Sequence, residues 1–157
     1  MNIRKAEKRD IPKILDLLSQ VLEIHADIRP DIFISGTTKY TAEQIEQMID
    51  TESTLIYVAA DANDTVLGYA FCKVRQPAPS NTQKPFKSIM IDDLCVDAAA
   101  RRQHVGKELF EFVKAEAKRM GCYEIVLAVW EGNDSARAFY DNLGMRPKET
   151  MMEYVLD

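Results

Sequence analysis

The chain has 157 residues, 46% hydrophobic and 29% charged, with 25 acidic against 20 basic side chains and a net charge of −5. That composition is the one expected of a single soluble globular domain spanning 1–157. It argues against a nucleic-acid surface, which needs a basic face, and favours a cationic partner. No apolar run is long enough to span a bilayer and MNIRKAEKRD has no apolar leader core, so a cytoplasmic location without a membrane partner is expected. Cys72, Cys95 and Cys122 form an odd set without C-x-x-C spacing, which predicts free thiols and no metal site.

In chain order, Ile3 alternates with polar neighbours and predicts a short strand. Asp10 then stands at a helix N-cap with Pro12 in the first turn. Ile11, Ile14, Leu15, Leu18, Val21 and Leu22 recur at helical spacing, predicting a helix to about Ile24 that Arg29-Pro30 breaks. Thr41-Ala42-Glu43-Gln44 has the form of a capping box, and the stripe Ile45, Met48, Ile49 behind it predicts a second, short helix. Two β-rich runs flank the turn formers Asp61 to Thr65, a hairpin signal, and QPAPSNTQKP follows as an exposed loop. FKSIMIDDLCVD reads as a strand, RRQHVGKELF opens a helix with Gly121 as its C′ residue, and YEIVLAVW reads as a strand, together a crossover unit. GNDSARAFYDNLG predicts a helix capped by Asn133 or Asp134 and stopped by Gly144, and MRPKETMMEYVLD predicts a closing strand.

The mouth of the long helix carries the first chemical signal. Val105, Leu109, Phe112, Val113, Ala117 and Met120 lie on one stripe, which sets that face on the sheet and the helix mouth at the sheet's carboxyl edge. Arg101, Arg102 and Lys107 surround a first turn of unpaired N–H groups, and Gly106 leaves the backbone bare. This arrangement suits an anion such as a phosphate, and it equally suits a solvated basic helix start.

IDDLCVDAAARRQHVGKELF, LAVWEGNDSARAFYDNLGM and MEYVL, in this order within residues 86–156, resemble the GNAT superfamily of acyl-CoA-dependent N-acyltransferases. The resemblance implies an α/β fold built on a mixed, mostly antiparallel twisted sheet of six to seven strands. About four helices would flank that sheet, which would splay between its fourth and fifth strands. It implies acetyl-CoA as cosubstrate, no metal, and direct transfer of the acetyl group to a primary amine of a small molecule or peptide. Arg101, Arg102, Gln103, His104, Val105, Gly106 and Lys107 would form the pyrophosphate loop, with His104 where the family commonly has its first glycine. The backbone of Leu94, Cys95 and Val96 would pair with the pantetheine amides, and Asn133 and Ala136 would be further cofactor contacts. By its helical spacing Tyr140 is a core tyrosine beside Phe139 and Leu143; by resemblance it is the general acid for the leaving thiolate. Cys95 reads as a packed thiol rather than a nucleophile.

An attacking amine must lose a proton, so a base is required. Asp92 and Asp93 are candidates, and strand alternation points them to opposite faces unless a bulge intervenes. Some relatives have a glutamate base where this chain has Ala128; Glu23 and His25 are the other candidates. The acceptor site implied by resemblance lies around Leu22 to Tyr40, including Glu23, His25 and Phe33, with the QPAPSNTQKP loop and Tyr154. Glu23, Asp27 and Asp31 there suit a cationic amine or plain solvation. ETMMEYVL is a candidate homodimer edge, and a non-catalytic acyl-CoA-binding regulatory module of the same fold is the alternative function.

Overall fold

The computed structural model describes residues 1–157. The elements are β1 Asn2–Lys5, α1 Ile11–Ile28, α2 Ala42–Ile49, β2 Thr54–Ala60, β3 Val66–Arg75, β4 Ser88–Val96, α3 Val105–Arg119, β5 Glu124–Val126 and α4 Asp134–Asn142. The sheet has the order β1-β2-β3-β4-β5, antiparallel through β4 and parallel between β4 and β5. Five strands form, not six to seven. YEIVLAVW contributes only three residues to the sheet, and no residue after Met145 makes a backbone–backbone hydrogen bond, so the expected closing strand is unpaired. No helix is long and apolar enough to cross a membrane.

Local signals set the helix ends. The α2 capping box forms: Thr41 Oγ accepts from the Gln44 amide at 3.2 Å and Gln44 Oε1 from the Thr41 amide at 2.9 Å. Helix α3 ends in a Schellman motif, with the Cys122 amide on Ala117 O and the Gly121 amide on Lys118 O, Gly121 taking φ +74. Helix α1 runs to Ile28, one turn past the expected Ile24, because nothing stops it before Pro30.

Strand alternation divides the core between two faces. Leu55, Tyr57, Ala70, Cys72, Ile89 and Ile91 meet Val105, Leu109 and Val113 of α3 on one side. Ile56, Val58, Tyr69 and Phe71 meet Ile14, Leu17, Leu18 and Ile45 of α1 and α2 on the other. Cys95 lies on the α1 face, whereas Ile89 and Ile91, of the same parity, lie on the α3 face. A register shift accounts for this: Phe71 pairs with Asp93 and Cys72 with Ile91, leaving Asp92 as the extra residue of a β-bulge.

Asp10 precedes α1 but does not cap it with its side chain. Its carboxylate instead accepts from Arg4 at 2.7 and 3.0 Å and from the Glu7 amide at 2.8 Å, tying β1 to the helix entry. Burial works against this charge, but those hydrogen bonds outweigh it and hold the carboxyl below its ordinary range. A group depressed on folding stabilises fully above its unfolded pKa, near ~3.9, and loses that contribution as pH falls through the folded value. Asp10→Asn is therefore expected to cost about 2 kcal/mol in urea unfolding at neutral pH. The gap from wild type is expected to narrow below about pH 3.

Candidate active site

β4 and β5 pair only through Ser88–Met90 and Glu124–Val126. Beyond Ile91 the outer edge of β4 has no neighbouring strand, so Leu94, Cys95 and Val96 pair only with Ala70, Tyr69 and Gly68 of β3. The open edge falls beside the fourth strand, where a splay was expected. An open strand edge presents alternating N–H and C=O groups, which suits an extended ligand that carries amides.

Asp97 ends β4, holding the Ala99 amide at 3.1 Å and the Lys13 ammonium at 2.5 Å, which fixes the following loop to α1. Arg102 and His104 then take left-handed backbone, φ +69 and +62. His104 is the α3 N-cap residue, makes no side-chain cap and is exposed. Arg101, Arg102 and Lys107 are exposed without an acidic partner, whereas Arg4, Lys13, Arg29 and Lys39 are all ion-paired. Unpaired cations around left-handed turns at a helix start suit an anion. Gly106 plays a different part from the one expected: a Cβ there would meet the Phe139 ring at 3.0 Å, so its bareness seats α4 on α3. A left-handed non-glycine residue costs about 1 kcal/mol. His104→Gly is expected to raise stability by up to about that much in urea melts.

The bulge corrects the expectation that the two carboxylates diverge. Both face the α1–α2 side: Asp92 accepts a short hydrogen bond from Tyr40 and pairs with Lys39 at 3.3 Å, and Asp93 accepts from the Tyr69 hydroxyl at 2.7 Å. Burial raises the Asp93 carboxyl above its ordinary value, and the Tyr69 hydrogen bond only partly opposes it. His25 feels the Asp93 charge, but burial dominates and holds the imidazole below its usual pKa, so it is neutral at pH ~7. Its ring packs against Phe33 at 5.2 Å, and Phe33 meets Trp130 edge-on at 5.2 Å, giving an aromatic wall where the chain leaves β5.

Tyr140 is half-buried, with its ring 5.1 Å from Phe139, and its hydroxyl makes no hydrogen bond within the protein. Burial, then the charges of Asp93 and Cys95, push the phenol well above its ordinary value, so it stays protonated. Asn133 caps α4 by accepting from the Ala136 amide at 3.3 Å, and Ala136 is half-buried on that first turn. Cys95 is a packed thiol, donating to Leu17 O at 3.5 Å and pushed up to about 12 by burial.

Other expected site residues are engaged elsewhere. Glu23 accepts from Ser35 Oγ and the Gly36 amide, both at 2.7 Å, and so fixes the loop that carries Phe33. The 76–85 loop joins β3 to β4 at the Arg75–Ser88 end and makes no hydrogen bond or ring contact with either aspartate or the aromatic wall. Tyr154 is exposed on the C-terminal segment. Tyr69 and Trp130 were not anticipated, and Lys39 and Tyr40 were covered only as the end of the Leu22 to Tyr40 stretch. The chain's single Trp, directly after an apolar strand, was the one available signal. No group of three or more His, Cys, Asp or Glu side chains is placed to hold a metal ion.

Comparison with known proteins gives a consistent answer. The BH1408 protein from Bacillus halodurans, solved as a point mutant, superposes with a TM-score of 0.95 at 31% identity over 99% of each chain. A glucosamine 6-phosphate N-acetyltransferase from Arabidopsis thaliana is 34% identical over 67 residues, 43% of either sequence, so the match spans under half of that relative. The solved glucosamine-6-phosphate N-acetyltransferase from Arabidopsis thaliana shares the fold, with a TM-score of 0.70 at 24% identity over 99% of this chain and 98% of that one. Residues 18–145 match the acetyltransferase (GNAT) family, and the chain therefore belongs to the GNAT acetyltransferases.

Proposed function

We propose that the protein transfers the acetyl group of acetyl-CoA directly to a primary amine, with Tyr140 as general acid and Asp93 as general base. The observation that carries this reading is the phenol of Tyr140, without a hydrogen-bond partner in the protein, on α4 beside Phe139, which packs with Val96 of β4 around Gly106 where the outer edge of β4 is open. The residues fit the cosubstrate: the Leu94–Val96 edge suits the pantetheine amides, and the left-handed loop with Arg101, Arg102 and Lys107 suits the pyrophosphate. When bound, acetyl-CoA supplies a thioester carbon open to attack. The amine nitrogen bonds to that carbon as the C–S bond breaks, Tyr140 gives its proton to the sulfur, and Asp93 takes the proton of the amine, directly or through water.

Asp93 is favoured over Asp92 because Tyr40 and Lys39 already engage the Asp92 charge. The acceptor lies beside His25, Phe33 and Trp130, where the aromatic wall and the acidic groups suit a cationic amine. The proposed location is cytoplasmic, where acetyl-CoA is available. The cosubstrate part is tested by thermal unfolding with acetyl-CoA, which at about 100 times its Kd adds ~2.7 kcal/mol. Arg101→Ala with Arg102→Ala is expected to shrink that shift, and an unchanged shift would place the phosphates elsewhere.

A further inference from the structure

The surroundings of the aromatic wall bear on the kind of body the acceptor carries. His25, Phe33 and Trp130 form a three-ring corner: His25 lies 5.2 Å from Phe33 and 6.5 Å from Trp130, and Phe33 meets Trp130 edge-on at 5.2 Å. Rings at these spacings support one another and present a preformed apolar surface. Two separate parts of the chain are fastened to make it. Glu23 fixes the loop of Phe33 through Ser35 and Gly36. Gly132 lies so close to Ile28 of α1 that a Cβ there would come within 2.9 Å, which seats the turn after Trp130 on the end of that helix. The corner is not covered: Trp130 is 38% exposed and Ile34, next to Phe33 in the chain, 73% exposed.

The 29–41 loop leads from this corner to the carboxylates. It carries Phe33 and then Tyr40, whose ring stacks on Phe71 at 5.5 Å, and Phe71 pairs with Asp93 in the sheet. Asp93 accepts only from the Tyr69 hydroxyl, so its second oxygen is free to accept from an ammonium. Both cations of the loop are already engaged. Arg29 pairs with Asp31 at 2.8 Å and Glu153 at 2.5 Å, and Lys39 with Asp92 at 3.3 Å. His25 adds no positive charge near pH ~7, because burial holds its pKa down, and the residue after Trp130 is the acidic Glu131. An anionic group on the acceptor would lose hydration here without gaining a free cation from this loop.

We infer that the acceptor is a primary amine on an apolar, aromatic body, and not a phosphorylated amino sugar, with its ammonium on the open oxygen of Asp93 and its body against Phe33 and Trp130. Such a body releases water from the exposed rings, and a cation beside them gains from their faces. The inference rests on the proposed acetyl transfer for the fate of the amine, but not for its binding.

Trp130 is the chain's single tryptophan, so its fluorescence reads this corner directly and without turnover. The full chain, alone and with CoA, which carries no acetyl group to transfer, is titrated with phenethylamine and with glucosamine 6-phosphate. Phenethylamine is expected to give a saturable change in emission and to bind at least about tenfold tighter than glucosamine 6-phosphate, and Phe33→Ala to weaken it by about tenfold. The comparison of the two amines on wild type needs no variant, so it stands even where Phe33→Ala fails to fold. Glucosamine 6-phosphate binding as tightly or tighter, no response to phenethylamine, or a folded Phe33→Ala with unchanged affinity would overturn the inference. Phenethylamine binding without any acetylated product would instead overturn the proposed reaction and support the assignment of the site.

Discussion

Tyr140→Phe is expected to lower kcat by about a hundredfold or more, the usual contribution of a positioned general acid, while leaving the acetyl-CoA thermal shift intact. The substitution removes one hydroxyl that no protein group holds, so no hydrogen bond of the folded state is lost. The phenyl ring keeps the Phe139 contact, and through it the packing of α4 on Gly106 of α3. A purely structural tyrosine gives a different result, a lower melting temperature with kcat nearly unchanged. Steady-state kinetics and melting on the same preparation separate the two.

The second large effect is expected at Asp93. Asp93→Asn removes the proposed proton acceptor while keeping the oxygen that the Tyr69 hydroxyl needs, so kcat/KM falls by about a hundredfold or more. Stability is expected to move the other way. A carboxyl whose pKa rises on folding costs the folded state free energy at neutral pH, a cost that shrinks as pH falls through the folded value and is gone below the unfolded one, near ~3.9. The neutral amide removes that cost, so the melting temperature at pH ~7 stays at or above wild type. In wild type, kcat/KM is expected to rise with pH through an apparent pKa above the ordinary ~3.9 and to lose that step in the variant. Asp92→Asn provides the contrast, because its carboxylate is engaged with Tyr40 and Lys39 and its loss disturbs the α1–α2 loop rather than the proton path.

Periodicity and caps made much of the fold legible. The Thr41 capping box, the Asp61–Thr65 turn, the two β-rich runs that flank it and Gly121 at the α3 terminus are local signals, and each stands where local chemistry put it. Two kinds of feature were hidden. The β4 bulge is a matter of register between strands, and a sequence of alternating residues cannot show that Asp92 is skipped while Asp93 changes face. The loop before α3 has the backbone that glycine would normally mark, but Arg102 and His104 occupy its left-handed positions, so the shape is invisible in residue types alone. His104 therefore preserves the turn instead of closing it, which weakens the reading of a module that lost its chemistry.

Closing residues are instructive in the same way. MRPKETMMEYVLD reads as a closing strand, yet it forms none, because strand propensity marks a segment fit for a sheet without supplying the sheet. The aromatic wall sets Trp130 against Phe33 and His25, which lie far earlier in the sequence, and only the packed structure brings Trp130 to them.

Acetyl transfer itself is tested most directly by following CoA thiol release from acetyl-CoA across a panel of primary amines, with mass spectrometry of each amine. Amine-dependent thiol release with a matching acetylated amine, lost in Tyr140→Phe, is the predicted result. Binding of acetyl-CoA without acetylation of any amine, or turnover indifferent to Tyr140→Phe, would contradict it.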